Sequence, residues 1–91
     1  MSHLNADKSK LIARVRRIAG QISAVEQSLG EDTDCSAILQ QVAAARGAID
    51  GLMNEILGAH LREHVGAPGL SAVARARGVD EVLAALKRYA K

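Results

Sequence analysis

The apolar residues in the middle of the chain recur at alternating intervals of four and three, and this spacing restricts the fold more than any other feature. The positions are Ile38, Val42, Ala45, Ile49, Leu52, Ile56 and Ala59. Heptad spacing held over three repeats is typical of a helix that packs lengthwise against other helices. No proline interrupts residues 34–65. The pattern therefore predicts one long helix over about residues 34–65.

Shorter amphipathic segments lie on either side of this helix. The first has the same four-three spacing, at Leu11, Val15, Ile18, Ile22, Val25 and Leu29. It predicts a helix over about residues 6–29 that Gly30 ends. Residues 66–78 are rich in glycine and alanine and contain the only proline, which predicts a linker, either irregular throughout or with a short helical turn at residues 70–76. A third helix is expected over about residues 79–90. Because no segment has a strand pattern, the 91 residues predict a single all-α domain of three helices.

The composition predicts a chain that associates with a partner and does not span a membrane. Hydrophobic residues make up 48% of the chain, but Tyr89 is the only aromatic residue. A domain this small and aliphatic buries a limited core, so self-association is expected. No apolar run approaches the length of a membrane span, and the polar start of the chain is unlike a signal peptide. A single cysteine fits a reducing compartment, so we expect a cytoplasmic protein.

Cys35, His60 and His64 form the most informative set of polar residues. Thiolate and imidazole are good ligands for borderline-soft transition metals, and two histidines four apart share one face of a helix. In one straight helix Cys35 lies about 37 Å from His60, so one ion cannot bridge them. Either the helix breaks, or an antiparallel partner supplies the missing ligands and a two-fold dimer has two shared sites. The alternative without a metal is a small buried cysteine and two histidines at chance spacing.

Cys35 and His3 each allow more than one role. Cys35 falls in the first turn of the predicted long helix, where the unpaired N–H groups and the dipole stabilise a thiolate. A thiolate there favours metal binding and also attack on an electrophile. His3 lies near the N-terminus, where it could complete a metal site together with the terminal amine. Its position alone favours a tail residue without such a role.

A row of basic residues marks one face of the predicted first helix. The row consists of Lys10, Arg14, Arg17 and Gln21, with Arg16 beside it. Without interleaved acids, such a row can neutralise successive DNA phosphates, and Gln21 can reach a base edge or a phosphate. The alternative is the solvated face of an amphipathic helix. In the long helix, Arg46 either joins this basic face or pairs with Asp50 one turn later.

Three stretches of the chain follow one another in a specific order: RVRRIAGQISAVEQSL, CSAILQQVAAARGAIDGLMNEIL and HLREHV. In that order they resemble the CsoR/RcnR family of bacterial transcriptional repressors, and the resemblance covers about residues 3–91. It implies three-helix chains that form antiparallel dimers and disc-like tetramers, bind operator DNA without a helix-turn-helix, and release it when an effector binds. It also implies a site built from the cysteine of one chain and two ligands of the other. The DNA contacts it implies are Arg14, Arg17 and Gln21, with Arg16 and Lys10 as phosphate contacts.

The same resemblance bears on the effector. Copper sensors of the family use Cys-His-Cys, whereas this chain has His64 at the last position, as the nickel and cobalt sensors do. Those sensors also have a histidine at the third residue, so the resemblance makes His3 a ligand. It implies Ni(II) or Co(II) as the effector, with Zn(II) or Cu(I) able to bind in vitro. Formaldehyde-sensing relatives rely on the equivalent of Cys35 and on a proline after the initiator methionine, where this chain has Ser2, yet VRRIAGQ and ARGAIDGLM resemble that branch.

These observations favour a repressor that dissociates from DNA on binding Ni(II) or Co(II) through the ligands Cys35, His60, His64 and His3. A second hypothesis is a formaldehyde-responsive repressor in which Cys35 is the nucleophile. A third is a helical bundle that stores or carries metal without binding DNA. An enzyme is not expected, because the sequence has no catalytic carboxylate pair, nucleophile–base dyad or phosphate-binding glycine loop. Asp50 replaces the asparagine usual in the GAxNGLM motif of the family.

Overall fold

The computed structural model describes residues 8–89, which form three α-helices. They are α1 (Lys8–Gly30), α2 (Cys35–His64) and α3 (Ala72–Tyr89). No strand occurs within residues 8–89, which confirms the predicted all-α class. The chain divides into two compact units, the first ending at Met53 and the second beginning at Asn54. No helix in the described range combines the length and the apolar character of a membrane span.

The connection between α1 and α2 is a tight turn closed by backbone groups. The amide of Thr33 donates to the carbonyl of Ser28 at 3.1 Å, which satisfies a carbonyl in the last turn of α1. Gly30 is the last helical residue, as the sequence predicts. The left-handed position, however, is taken by Asp32, whose φ of 54° is one that aspartate tolerates better than branched residues do. Asp34 then occupies the N-cap position of α2, its carbonyl accepting the first hydrogen bonds of that helix.

The long central helix forms as its apolar spacing predicts. α2 runs from Cys35 to His64 as one helix of 30 residues, so the alternative in which it breaks between the cysteine and the histidines is wrong. Few of its apolar side chains are covered within the chain, since only Ala45 and Ala59 are buried. The larger side chains on its heptad positions are half-buried or exposed. The single chain thus leaves much of this apolar stripe open to contact with another surface.

In the first unit, the core between α1 and the first part of α2 is small. Its buried residues are Leu11, Ile18, Ser28 and Ala45. Four larger aliphatic side chains are between 45% and 51% exposed: Val15, Ile22, Val42 and Ile49. Burying apolar surface contributes about 25 cal/mol of stabilisation per Å², so these exposed side chains favour association with another surface. This arrangement agrees with the expectation that the chain needs a partner.

In the second unit, α3 begins at Ala72, and this corrects the predicted linker over residues 66–78 and the predicted start at 79. The cause is an N-cap that the apolar spacing does not reveal: the Oγ of Ser71 accepts a hydrogen bond from the amide of Ala74 at 3.0 Å. The turn before it contains Gly69 with a φ of 82°, a conformation that glycine adopts readily. The true connection therefore covers only residues 65–71.

Candidate metal centre and nucleic-acid interface

His60 and His64 lie side by side near the C-terminal end of α2. Their ring centroids are 4.6 Å apart and their planes are inclined by 33°. Both residues are half-buried, and the Nε2 atom of each is buried. A transition metal lies about 2.0–2.1 Å from a ligating imidazole nitrogen, so two rings at this separation can reach the same ion. The predicted histidine pair is therefore built within one chain.

Glu81 of α3 lies beside the first of these histidines. Its Oε1 atom is 3.2 Å from the Nε2 atom of His60, with 21% of the His60 side chain and 54% of the Glu81 side chain exposed. A carboxylate at one ring nitrogen orients the imidazole and leaves the other nitrogen as the ligand atom. Sequence spacing did not identify Glu81, because only the packing of α3 against α2 brings the two residues together.

Two contacts hold α3 against the end of α2. A Cβ at Gly78 would lie 2.1 Å from the carbonyl oxygen of His64, far closer than real Cβ atoms come, and 3.1 Å from its Cβ. Gly78 is accordingly buried, although it stands inside a helix where glycine is unfavourable. One turn earlier, the guanidinium of Arg75 donates a hydrogen bond to the carbonyl of Val65, just beyond the end of α2. The backbone that holds the histidines is therefore fixed by α3.

Cys35 does not join the histidines within one chain. It is the first residue of α2, it forms no disulfide, and it is exposed. Among residues 8–89, no group of three cysteine, histidine, aspartate or glutamate side chains is arranged to hold a metal ion. Of the four predicted ligands, the structure brings together His60 and His64, and His3 lies outside the described residues. One chain thus presents only part of the predicted ligand set.

Three of the predicted DNA contacts line one open cavity in the first unit. The cavity has a volume of about 370 Å³ and is lined by Arg14, Arg17, Ile18, Gln21 and Ala48. The Oε1 atom of Gln21 is buried there without a hydrogen-bond partner among the described residues. The other two predicted contacts, Lys10 and Arg16, are exposed on α1 outside this lining. Two guanidinium groups and an unsatisfied amide suit a ligand that has both charged and hydrogen-bonding groups.

The guanidinium of Arg14 lies directly over the backbone of α2. A Cβ at Gly51 would be 2.6 Å from the Nη1 atom of Arg14, so the absence of a side chain at Gly51 makes room for this group. Arg14 is half-buried as a result, whereas Arg17 remains exposed. Sequence spacing predicted the row of basic residues, but it did not predict the role of Gly51, which depends on how α1 and α2 face each other.

A second groove in the first unit is mainly apolar. It has a volume of about 220 Å³ and is lined by Ile22, Val25, Val42, Ala45, Arg46, Ile49 and Asp50. Arg46 and Asp50 are one helical turn apart, but no ion pair or hydrogen bond joins them in the described part of the chain. The predicted pairing of these two residues within the chain is therefore not formed.

Comparison with known proteins gives consistent matches over nearly the whole chain. Residues 7–88 match the family model described as metal-sensitive transcriptional repressor. The chain is 45% identical over 91 residues, and over 100% of each protein, to the transcriptional repressor RcnR of Escherichia coli (strain K12) and to an uncharacterized protein in the bioA 5′ region of Serratia marcescens. A solved structure of a glutamate-to-histidine variant of the formaldehyde-responsive regulator FrmR, from Salmonella enterica serovar Typhimurium, is 42% identical with a TM-score of 0.86. That comparison covers 92% of this chain and 94% of the other.

The residues that match the family model include both regions described above, the histidine pair and the basic cavity. Members of this family are transcriptional repressors, so the expectation that the chain is not an enzyme is confirmed and its partner is operator DNA. The three-helix fold agrees with that of the FrmR variant. The chain belongs to the metal-sensitive transcriptional repressor family, the CsoR/RcnR family that its sequence resembles.

Proposed function

We propose that the protein is a cytoplasmic repressor that releases operator DNA when Ni(II) or Co(II) binds at a site shared between two chains. One observation carries the proposal: α3 fixes two adjacent imidazoles at one end of α2, while Cys35 is the first residue of the same unbroken helix. An antiparallel partner would bring a cysteine to each histidine pair. The 45% identity to a repressor named RcnR over the whole chain supports this assignment.

The donor set fits a borderline transition metal. Cys35 of one chain, His60 and His64 of the other, and His3 would supply one sulfur and three nitrogen ligands. When bound, the ion links two chains through strong directional bonds. Glu81 holds the Nε2 side of His60, so Nδ1 is the expected ligand atom of that ring. Dimers, and tetramers formed from them, are the proposed assembly.

The basic cavity supplies the DNA contacts of the proposed repressor. Arg14 and Arg17 would pair with phosphates, Gln21 would hydrogen-bond to the DNA, and Lys10 and Arg16 would add phosphate contacts. The metal-bound arrangement of the chains would misalign these faces on the operator. If so, metal and DNA oppose each other reciprocally, and DNA must weaken metal binding by the same factor.

A mixing experiment tests whether the site is shared. Neither Cys35→Ala nor the double variant His60→Ala/His64→Ala should bind Ni(II) tightly alone. A mixed dimer of the two variants regains one complete site, because the intact cysteine of one chain faces the intact histidines of the other. We expect thiolate-to-metal absorption to return only in the mixture. If mixed dimers form, as verified by native mass spectrometry, and still bind no metal, the shared site is wrong.

A titration tests the regulatory part of the proposal. Adding Ni(II) or Co(II) to the operator complex should lower the DNA affinity, and the operator should lower the metal affinity equally. Unchanged DNA affinity with metal bound would contradict the proposal. Absence of any salt-dependent DNA binding would favour the third hypothesis, a bundle that stores or carries metal, since phosphate contacts make the affinity fall steeply with salt.

The exposure of Cys35 favours formaldehyde sensing as a second candidate function, and the 42% identity to a formaldehyde-responsive regulator supports it. The thiolate would add to the carbonyl carbon and the new alkoxide would take a proton. An N-terminal amine of a neighbouring chain would then displace the hydroxyl group as water, leaving an S–CH₂–N cross-link. Intact mass after exposure to formaldehyde should show a cross-linked product with one added carbon. A Cys35→Ala variant should show none.

A further inference from the structure

The groove lined by Arg46 and Asp50 has a self-complementary pattern of charge. Both residues lie on the same face of α2 among apolar side chains of which Ile22, Val42 and Ile49 are at least 45% exposed. The two charges have opposite sign and are four residues apart, yet they do not pair with each other in the described structure. A two-fold interface places the same patch on both sides, so a positive and a negative group on one patch can satisfy those of its copy.

The register of the proposed metal site determines which residues of α2 meet across such an interface. In an antiparallel pair of identical helices, the numbers of two facing residues add to a constant. A cysteine at 35 that shares a site with histidines 60 and 64 of its partner sets this constant between 95 and 99. Arg46 and Asp50 add to 96, within this range, so the two-fold axis crosses α2 at the level of residue 48, on the face that carries Arg46 and Asp50, and brings these residues opposite each other.

We propose that the groove is covered by a second copy of this chain, in which Arg46 of each chain pairs with Asp50 of the other across the two-fold axis. The inference rests on the proposed function for its register. It gives a role to Asp50, which replaces the asparagine expected from the family motif. The dimer contains the ion pair twice, and the surrounding aliphatic side chains exclude water from it. An asparagine at this position would keep a hydrogen bond but lose the charge.

Charge reversal tests the pairing. In Arg46→Glu two carboxylates face each other twice per dimer, and in Asp50→Arg two guanidinium groups do so. Each variant alone should dimerise about tenfold more weakly than the natural chain, because two attractive contacts become two repulsive ones. The double variant Arg46→Glu/Asp50→Arg restores both contacts and should dimerise like the natural chain.

Mixing the two single variants separates pairing between chains from pairing within a chain. In the mixed dimer both contacts become attractive, so native mass spectrometry should find assemblies with equal numbers of the two chains well above the binomial expectation. Pairing within a chain gives no such preference. The neutral variants Arg46→Gln and Asp50→Asn are the matched comparison, because their mixed dimer regains one of the two ion pairs and neither homodimer has any. Their mixture should show a smaller excess of mixed assemblies than the charged pair does. A binomial distribution for the charged pair would overturn the proposal, whether or not the double variant dimerises.

The experiment is done in the presence of a chelator, so its outcome does not depend on metal binding. A preference for mixed assemblies in a protein that shows no metal response would sustain the ion pair and refute the proposed effector. A binomial distribution, combined with recovery of metal binding in the mixture of Cys35→Ala with His60→Ala/His64→Ala, would refute the ion pair and sustain the shared site.

Discussion

Two glycines show how differently the histidine end and the basic cavity are built. A Cβ at Gly78 would meet the backbone of His64 at 2.1 Å, and backbone atoms in two packed helices cannot move aside separately. A Cβ at Gly51 would meet the guanidinium of Arg14 at 2.6 Å, which is the far end of a flexible side chain. The histidine end is therefore fixed by backbone packing, whereas the basic cavity is formed by a side chain that can adjust.

This difference agrees with what each region would bind. A metal site needs ligands held in a narrow geometry, and packing of α3 against α2 would supply that order before the proposed ion binds. Contacts with DNA phosphates depend mainly on charge and tolerate small displacements. The contrast can be tested by substitutions that should affect one region strongly and the other weakly.

The largest effect is expected for Gly78→Ala. Overpacking against the backbone costs about 1–3 kcal/mol, and at this separation the cost should exceed the gain of about 1 kcal/mol in helix propensity. We expect the free energy of unfolding to fall by about 2 kcal/mol and the metal affinity to fall with it. Urea unfolding measures the free energy of unfolding. The protein concentration is kept fixed because association contributes to stability. Gly47→Ala is the control, because a Cβ there has nothing within 4 Å. Equal stability of both variants would show that α3 is not held by this contact.

The next effect is expected for Glu81→Gln. Loss of the carboxylate beside His60 removes the group that orients the ring, and such changes lower metal affinity by about 10- to 100-fold. Competition with a chelator of known affinity measures the change. The control is Asp80→Asn, which removes the same charge one residue earlier on an exposed side chain. If the two variants lose metal affinity equally, the loss comes from removing one negative charge near the site, and the specific role of the Glu81–His60 contact is refuted.

In the basic cavity, Arg14→Ala should lower operator affinity by about tenfold and reduce the slope of log affinity against log salt by about one. Binding curves at several salt concentrations give both values. Arg88→Ala removes the same charge from the last turn of α3 and serves as the control. A slope that stays unchanged in Arg14→Ala would show that this residue does not contact a phosphate.

The smallest effect is expected for Gly51→Ala. The added methyl group pushes the Arg14 guanidinium aside, so operator affinity should fall by about two- to fivefold while stability is kept or improved by helix propensity. The same DNA titration compares it with Gly47→Ala, one turn earlier on α2. A loss of stability as large as that of Gly78→Ala would contradict the contrast between the two regions.

Much of the architecture follows from local patterns in the sequence. The four-three spacing of apolar residues predicts the end of α1 and both ends of α2 within one residue, while the predicted start of α1 at residue 6 lies outside the described residues. The predicted start of α3 was wrong because the glycines, alanines and proline of residues 66–78 were taken as signs of a linker, while the cap at Ser71 was overlooked. A glycine inside a helix is unfavourable by itself and is explained only by a close neighbour, which a sequence does not display.

The residues of the candidate sites also fall into two groups, those that helical spacing predicts and those that only tertiary packing brings together. Spacing alone placed His60 beside His64 and aligned Arg14, Arg17 and Gln21, because residues three or four apart share a helix face. Glu81 was missed, and spacing did not connect Gly51 with Arg14, since the two residues of each contact are more than 20 positions apart.

The sequence by itself determined the class of the fold, the unbroken α2, the pairing of His60 with His64 on one helix face and the row of basic residues. These features depend on helical periodicity and on side-chain chemistry, which are local. Only the tertiary structure decided that α3 orients His60 through Glu81 and approaches His64 at Gly78, and that Arg14 lies over Gly51. The physical reason is that contacts between helices depend on their separation and rotation, which are set by the packing of many side chains together.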